Sequence, residues 1–248
     1  MLGRLAFALE AARWRRFGRT LPLWWRDDDA CALTPDLNGL LSLSAAHGAP
    51  LALAVVPQGS GDALPADLIE AVNAAPLVSV IQHGTDHVSR RADGATPAQF
   101  HDADPAAQIA AQIEAAGAAL APFTRRLPVY APPWNAVQAP LPAALEMLGL
   151  SLSAYGGPAG PRRLDAHLDL LRWSDGRPRF RGADRLWSRL ARLMRDRRLA
   201  ADFDQPIGLL THHRDHDPAA WEFLHAMFEV LERSRAVRWV DAAAVVGG

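Results

Sequence analysis

Two histidines four residues apart, His83 and His87, close an apolar run in VSVIQHGTDHVSRR (78–91). Neutral imidazoles bind zinc and similar divalent ions, and a carboxylate commonly completes such a site. Asp27, Asp28 and Asp29 offer it, as three consecutive aspartates at the end of another apolar run, LPLWWR. Adjacent carboxylates repel one another, and a cation relieves the repulsion. One aspartate can then bind the metal while its neighbour, pointing the other way as successive strand side chains do, accepts a proton from water on that metal. An ion of the zinc kind brings the pKa of such a water toward ~7. The chemistry indicated is metal-assisted hydrolysis of a carbonyl compound. A cysteine-based zinc knot and an intrachain disulfide are both excluded by the single cysteine, Cys31.

These residues need elements to hold them. Short apolar runs at 21–28, 50–57, 77–83, 127–133, 150–155, 167–173, 206–213 and 236–242 read as strands. Amphipathic stretches at 104–123, 140–149, 183–200 and 217–234 read as helices, with Asp104-Pro105 and Asp217-Pro218 as start signals. Such alternation over 248 residues, with no glycine-rich phosphate loop after an early strand, predicts one α/β domain. The expected form is a distorted (β/α) barrel of about seven strands, TIM-barrel-like, spanning 1–248. In such a barrel chemistry gathers at the C-terminal ends of the strands. That rule joins the aspartates 27–29, His83 and His87, the segment Ala131-Pro132-Pro133-Trp134-Asn135, and the segment Thr211-His212-His213.

In this order the motifs Asp28-Asp29-Ala30, His83-Gly84-Thr85-Asp86-His87, Pro132-Pro133-Trp134 and Leu210-Thr211-His212 resemble those of the polysaccharide deacetylases, the NodB-homology or carbohydrate esterase family 4 group. The resemblance runs from about residue 21 to 245, and its most specific part is the His-x-x-x-His motif. It implies a divalent metal, most often zinc, and hydrolysis of an N-acetyl group on a sugar or related amide. It also implies Asp28 as general base, with Asp29, His83 and His87 as metal ligands. His212 would be the acid for the leaving amine. Pro133, Trp134 and Leu210 would contact substrate, with the Trp134 N–H helping to hold the oxyanion.

The frame can also slip, making Asp27 the base and Asp28 the ligand. Only one of His212 and His213 can face the site if the strand continues through them. Asp86 is either an acceptor for a ligand histidine or an exposed residue. The family's arginine is replaced by Ala131, and Arg26, two residues before Asp28 and on the same strand face, is the substitute. No counterpart of the family's fourth motif is found; Leu171-Arg172-Trp173-Ser174-Asp175 holds the residue types in another arrangement. A barrel that binds a carbohydrate without turning it over is therefore the second reading.

A formal net charge of -1 gives no overall attraction to nucleic acid or an anionic membrane, so a small molecule or glycan is the expected partner. The N-terminal stretch, interrupted by Glu10 and arginines, lacks the pattern of a signal peptide, and a cytoplasmic location is expected. Arg192, Arg195, Arg197 and Arg198 read as a solvated basic helix end. Asp215, His216 and Asp217 read as capping and surface residues.

Overall fold

The computed structural model describes residues 2–59, 63–157, 162–174 and 177–246. Its strands are β1 (Leu21–Ala30), β2 (Leu51–Val55), β3 (Val78–His83), β4 (Arg126–Ala131), β5 (Ser151–Leu152), β6 (Leu168–Asp169), β7 (Leu171–Ser174), β8 (Arg177–Phe180), β9 (Ile207–Thr211) and β10 (Val237–Trp239). Its α-helices are α1 (Leu2–Arg16), α2 (Pro35–His47), α3 (Ala66–Ala74), α4 (Ala106–Gly117), α5 (Leu141–Met147), α6 (Ala183–Leu199), α7 (Pro218–Ser234) and α8 (Ala242–Val246).

Seven parallel strands run in the order β5-β4-β3-β2-β1-β9-β6, and β10 pairs with the first residues of β1. The sheet curls into the distorted barrel expected. Its gap is spanned by the segment around residues 162–166, which bridges Leu152 to Arg163 and Tyr155 to Ala166 before β6 joins β9.

β1 lies inside the sheet, paired with β2, β9 and β10, and its side chains alternate between two faces. Trp24 joins Ala52, Ala54, Ile81, Val129 and Ala131 in a cluster built mainly from the strands, while Leu23 and Trp25 join helix residues such as Leu37, Leu224 and Phe228. The first face is the barrel interior, filled by one indole against small neighbours, and the second lies under the helices. Continuous apolar runs in β2 and β3 follow from this coverage on both sides.

Local signals account for several boundaries. Asp217 caps α7 by accepting from Ala220 N at 2.8 Å, with Pro218 in the first turn. Thr34 does the same for α2 through Leu37 N, and Gly48 ends that helix in the left-handed region. Asp104 does not cap α4. Its carboxylate instead closes a turn by accepting from His101 N at 2.7 Å, and the helix begins after Pro105 with no side-chain cap. The expected strand 167–173 is split, because β7 leaves the barrel to pair antiparallel with β8.

α1 belongs to the core. Phe7 and Trp14 are buried, and the Trp14 indole N–H donates to Met194 O at 3.1 Å on α6. Glu10 is buried in the same seam against Arg198 and Arg13. Among the described residues no helix is long and apolar enough to cross a membrane.

Burial pushes the Glu10 carboxyl up, but the hydrogen bonds from Arg198 and Arg13 outweigh it and hold the pKa below the usual value. A lowered folded-state pKa adds stability above the unfolded value near ~4.3 and loses it as pH falls through the folded one. Glu10→Gln is therefore expected to cost ~1–3 kcal/mol in urea unfolding at pH 7. The gap from wild type should close below about pH 4; a gap independent of pH would show that the charge is not what holds the seam.

Candidate active site

β1 delivers most of the site, and a bulge decides how. Asp27 pairs with Leu53 but Ala30 with Val55, so three β1 steps face two on β2. Asp29 sits at the break with φ 72°, a conformation that side chains rarely adopt. Regular alternation would send Asp29 to the helix side with Asp27. The bulge turns it back to the strand ends.

There Asp29 Oδ1 lies 3.1 Å from His83 Nε2 and 3.0 Å from His87 Nε2. One ligand atom from each of the three residues falls within 4.8 Å of the others. His83 Nδ1 faces Ala131 O at 3.0 Å, so that carbonyl fixes the ring and leaves Nε2 toward the aspartate. Burial pulls the His83 pKa down, but the charge of Asp28 and the bond to Asp29 leave it raised. Asp29 is held well below the ordinary range by the two histidines against an opposing burial effect. Two imidazoles and a carboxylate turned onto one point suit a divalent ion.

The loop carrying His87 is rigidly built. Gly84 has φ 66°, and a Cβ there would meet Pro133 Cγ at 2.5 Å and Gln99 Oε1 at 2.6 Å. Gln99 accepts from Thr85 N and donates to Thr85 Oγ and Asp86 Oδ1. Asp86 does not serve a ligand histidine: it binds Arg90 Nη2 at 2.7 Å, Val88 N at 3.1 Å and Gln99 Nε2 at 2.8 Å. Burial raises the Asp86 pKa, but these bonds dominate and it lies well below the usual range. His87, at φ 57°, rests its ring 4.6 Å from that of Trp134.

Asp28 lies on the interior face with Arg26, and both are buried. Arg26 Nη2 donates to Asp28 Oδ2 at 2.9 Å, and Nε faces Oδ1 at 2.9 Å. The rest of the guanidinium is anchored: Nη1 donates to Ser153 O and Oγ at 2.8 Å, and Nη2 to Asn135 Oδ1 at 2.6 Å. Arg26 thus holds Asp28 from the same strand, two residues before it. Of its partners, Asn135 belongs to the segment gathered by the strand-end rule, whereas Ser153 carried no signal in the sequence.

On the other side of Asp28, His212 Nε2 stands 3.8 Å from Oδ2. His213 points away into the helix layer, where Nδ1 lies 2.5 Å from Asp27 Oδ1. Asp27 also accepts from Thr211 Oγ at 2.7 Å and His213 N at 3.0 Å. Asp27 and His213 thus form a buried pair with each other, apart from Asp28, Asp29 and His212. Burial opposes both charges of that pair, yet each partner's charge wins, lowering Asp27 and raising His213.

Two residues outside the expected set complete the surroundings of His212. Trp173 packs edge-on against its ring at 5.6 Å between centroids. Asp169 is raised in pKa by burial and feels the charge of His212 most strongly among its neighbours. Trp173, from the segment 171–175, therefore lies against His212, and Asp169 is near enough to feel its charge; Asp175 lies outside the described residues. His216 is not a surface residue either. Its ring packs edge-on against Trp221 at 4.9 Å, burial lowers its pKa to about 4, and neutral Nε2 faces the N–H of His212 at 3.4 Å.

A cleft of ≈ 560 Å³ opens over the ligand triad, lined among others by Asp29, His87, Trp134, Trp173, Arg214 and Asp215. Of the three residues expected to contact substrate, only Trp134 lines it, with 38% of its surface exposed. Pro133 is buried over Gly84, and Leu210 is fully buried within the sheet on β9.

The sequence matches no protein family profile and no curated protein. Solved structures do share the fold. A family 4 acetyl xylan esterase from Clostridium thermocellum, in complex with a cobalt ion, aligns with 91% of this chain and 90% of its own at 13% identity and a TM-score of 0.57. A family 4 carbohydrate esterase from Streptomyces lividans, in complex with acetate, aligns over 89% and 91% at 14% identity and a TM-score of 0.51. A family 4 pseudoenzyme from Bacillus anthracis aligns with 92% of this chain and 66% of its own at 10% identity and a TM-score of 0.58. The chain thus has the fold of the family 4 carbohydrate esterases, a fold that carries both active and inactive proteins.

Removing the Arg26 guanidinium would leave Asp28 buried without its counter-charge. Arg26→Met is expected to cost ~3–5 kcal/mol in urea unfolding. Adding Asp28→Asn should recover a large part of that loss, and strict additivity of the two changes would show the pair to be uncoupled.

Proposed function

We propose that the protein is a divergent polysaccharide-deacetylase-type hydrolase that removes the acetyl group from an N-acetylated sugar or related small amide. One observation carries this reading: Asp28, held by Arg26 and flanked by His212, sits directly beside the converging Asp29, His83 and His87.

Asp29, His83 and His87 would hold a divalent ion, zinc being the first choice for two imidazoles and a carboxylate. When bound, such an ion polarises the amide carbonyl and lowers the pKa of water. Everything else is done by this chain. Arg26 aims Asp28 at the attacking water, and Asp28 accepts its proton as the new carbon–oxygen bond forms. The Trp134 N–H supports the oxyanion. His212 gives a proton to the departing nitrogen as the carbon–nitrogen bond breaks, leaving a free amine and acetate. Trp134 and Trp173, both partly exposed in the cleft, offer flat faces to a sugar ring. The cleft volume suits one or a few sugar units.

The pseudoenzyme reading, a binding protein with this fold, is favoured less because Arg26 fills the role vacated at Ala131.

Acetate release from N-acetylated mono- and oligosaccharides by zinc- or cobalt-loaded protein tests the proposal. Asp28→Asn should lower kcat by ~10²–10⁴-fold while one metal ion per chain is kept. His83→Ala should lose metal and activity together. Saturable glycan binding by a metal-loaded wild type that releases no acetate would establish the binding protein instead.

A further inference from the structure

A second depression of ≈ 410 Å³ is lined by Tyr155, Leu168, Asp169 and four arginines: Arg181, Arg185, Arg189 and Arg192. The last three lie on α6 at spacings of four and three, and so on one helix face. Elsewhere on this helix arginines are matched. Arg197 binds Asp202 at 2.8 Å, Arg198 binds Glu10, and Arg195 reaches Asp196 at 3.4 Å. At the depression the matching stops. Among the described residues neither Arg185 nor Arg192 has an ion-pair or hydrogen-bond partner, and Arg189 reaches only His167 O, at 3.5 Å.

Arg181 is held in place from behind, its Nε donating to Asp169 O at 3.0 Å and Nη2 to Leu171 O at 2.5 Å. Asp169, the single carboxylate in the lining, stands 3.6 Å from Arg181 Nη2 and spends Oδ1 on Leu171 N at 2.9 Å. Four cations thus face one anion, which sits beside Arg181, and like charges one helical turn apart repel. A concave site that gathers four guanidinium groups around a single carboxylate is suited to an anion with several oxygens, since the planar fork of arginine matches phosphate geometry.

We infer that this depression binds the phosphate or diphosphate group of a small molecule, at a site separate from the Asp29/His83/His87 centre. Arg181 is the fixed wall, and Arg185, Arg189 and Arg192 close on the anion from α6. The inference does not depend on the deacetylase reading, since it requires neither metal nor turnover.

Calorimetric titration with inorganic pyrophosphate, with a nucleoside diphosphate, and with vesicles containing phosphatidylglycerol tests it on metal-free protein. One free diphosphate group per chain should bind saturably. Arg185→Gln with Arg192→Gln should weaken binding by ~10-fold or more. Arg195→Gln, which alters the same helix outside the depression, and His83→Ala, which alters the metal centre, should each leave the affinity within about twofold of wild type. Absence of saturable binding at millimolar ligand would overturn the inference. So would binding that survives the double change, binding lost in His83→Ala, or binding to vesicles alone.

Discussion

The contact on which the site depends is the buried pair of Arg26 and Asp28. A charged guanidinium and a carboxylate in a barrel interior are costly to desolvate, and each is tolerable only while the other and its hydrogen bonds are present. Arg26 meets that demand by spending Nη1 on Ser153 and Nη2 on Asn135 as well as on Asp28. The pair therefore ties β1 to the segment after β5 and to the turn after β4. One side chain thus joins Asp28, the turn after β4 and the segment at the gap in the barrel.

Around this pair the backbone departs from regular geometry where function would require it. Asp29, Gly84, His87, Trp134 and Asn135 all have positive φ. Conformations of this kind persist when surrounding contacts over-determine them. Here the contacts are visible: the β1 bulge for Asp29, Gln99 and Pro133 for the Gly84 turn, and the Trp134 ring for His87. The strain aims side chains from three strand ends at one point, and packing in the rest of the barrel offsets it.

What was legible in the sequence follows from periodicity. Period-two alternation along β1 put Arg26 and Asp28 on one face and Asp27 on the other, and the strand-end rule gathered His83, His87 and His212 from distant positions. The turn of Asp29 toward the histidines was implied by the resemblance but not by periodicity, because a bulge is a property of two paired strands and β1 alone carries half of it. Trp173 was noted in the segment 171–175, but Asp169 escaped notice because the apolar run 167–173 looks like one strand, whereas it divides between a barrel strand and an excursion with β8. The burial of Pro133 and Leu210 depends on what packs against them, Gly84 for one and the neighbouring strands for the other. Motif position carries no such information.

The fold accommodates both active and inactive proteins, so the central claim rests on the arrangement of ligands and base and not on resemblance. Its most direct test is anomalous diffraction from crystals of the zinc- or cobalt-loaded protein, which locates the ion independently of any assay. The account predicts one ion bound by an Asp29 oxygen and by Nε2 of His83 and His87, with Asp28 off the metal and still paired with Arg26. An ion held by Asp28 or Asp27, or no ion at this position in fully loaded protein, would contradict it.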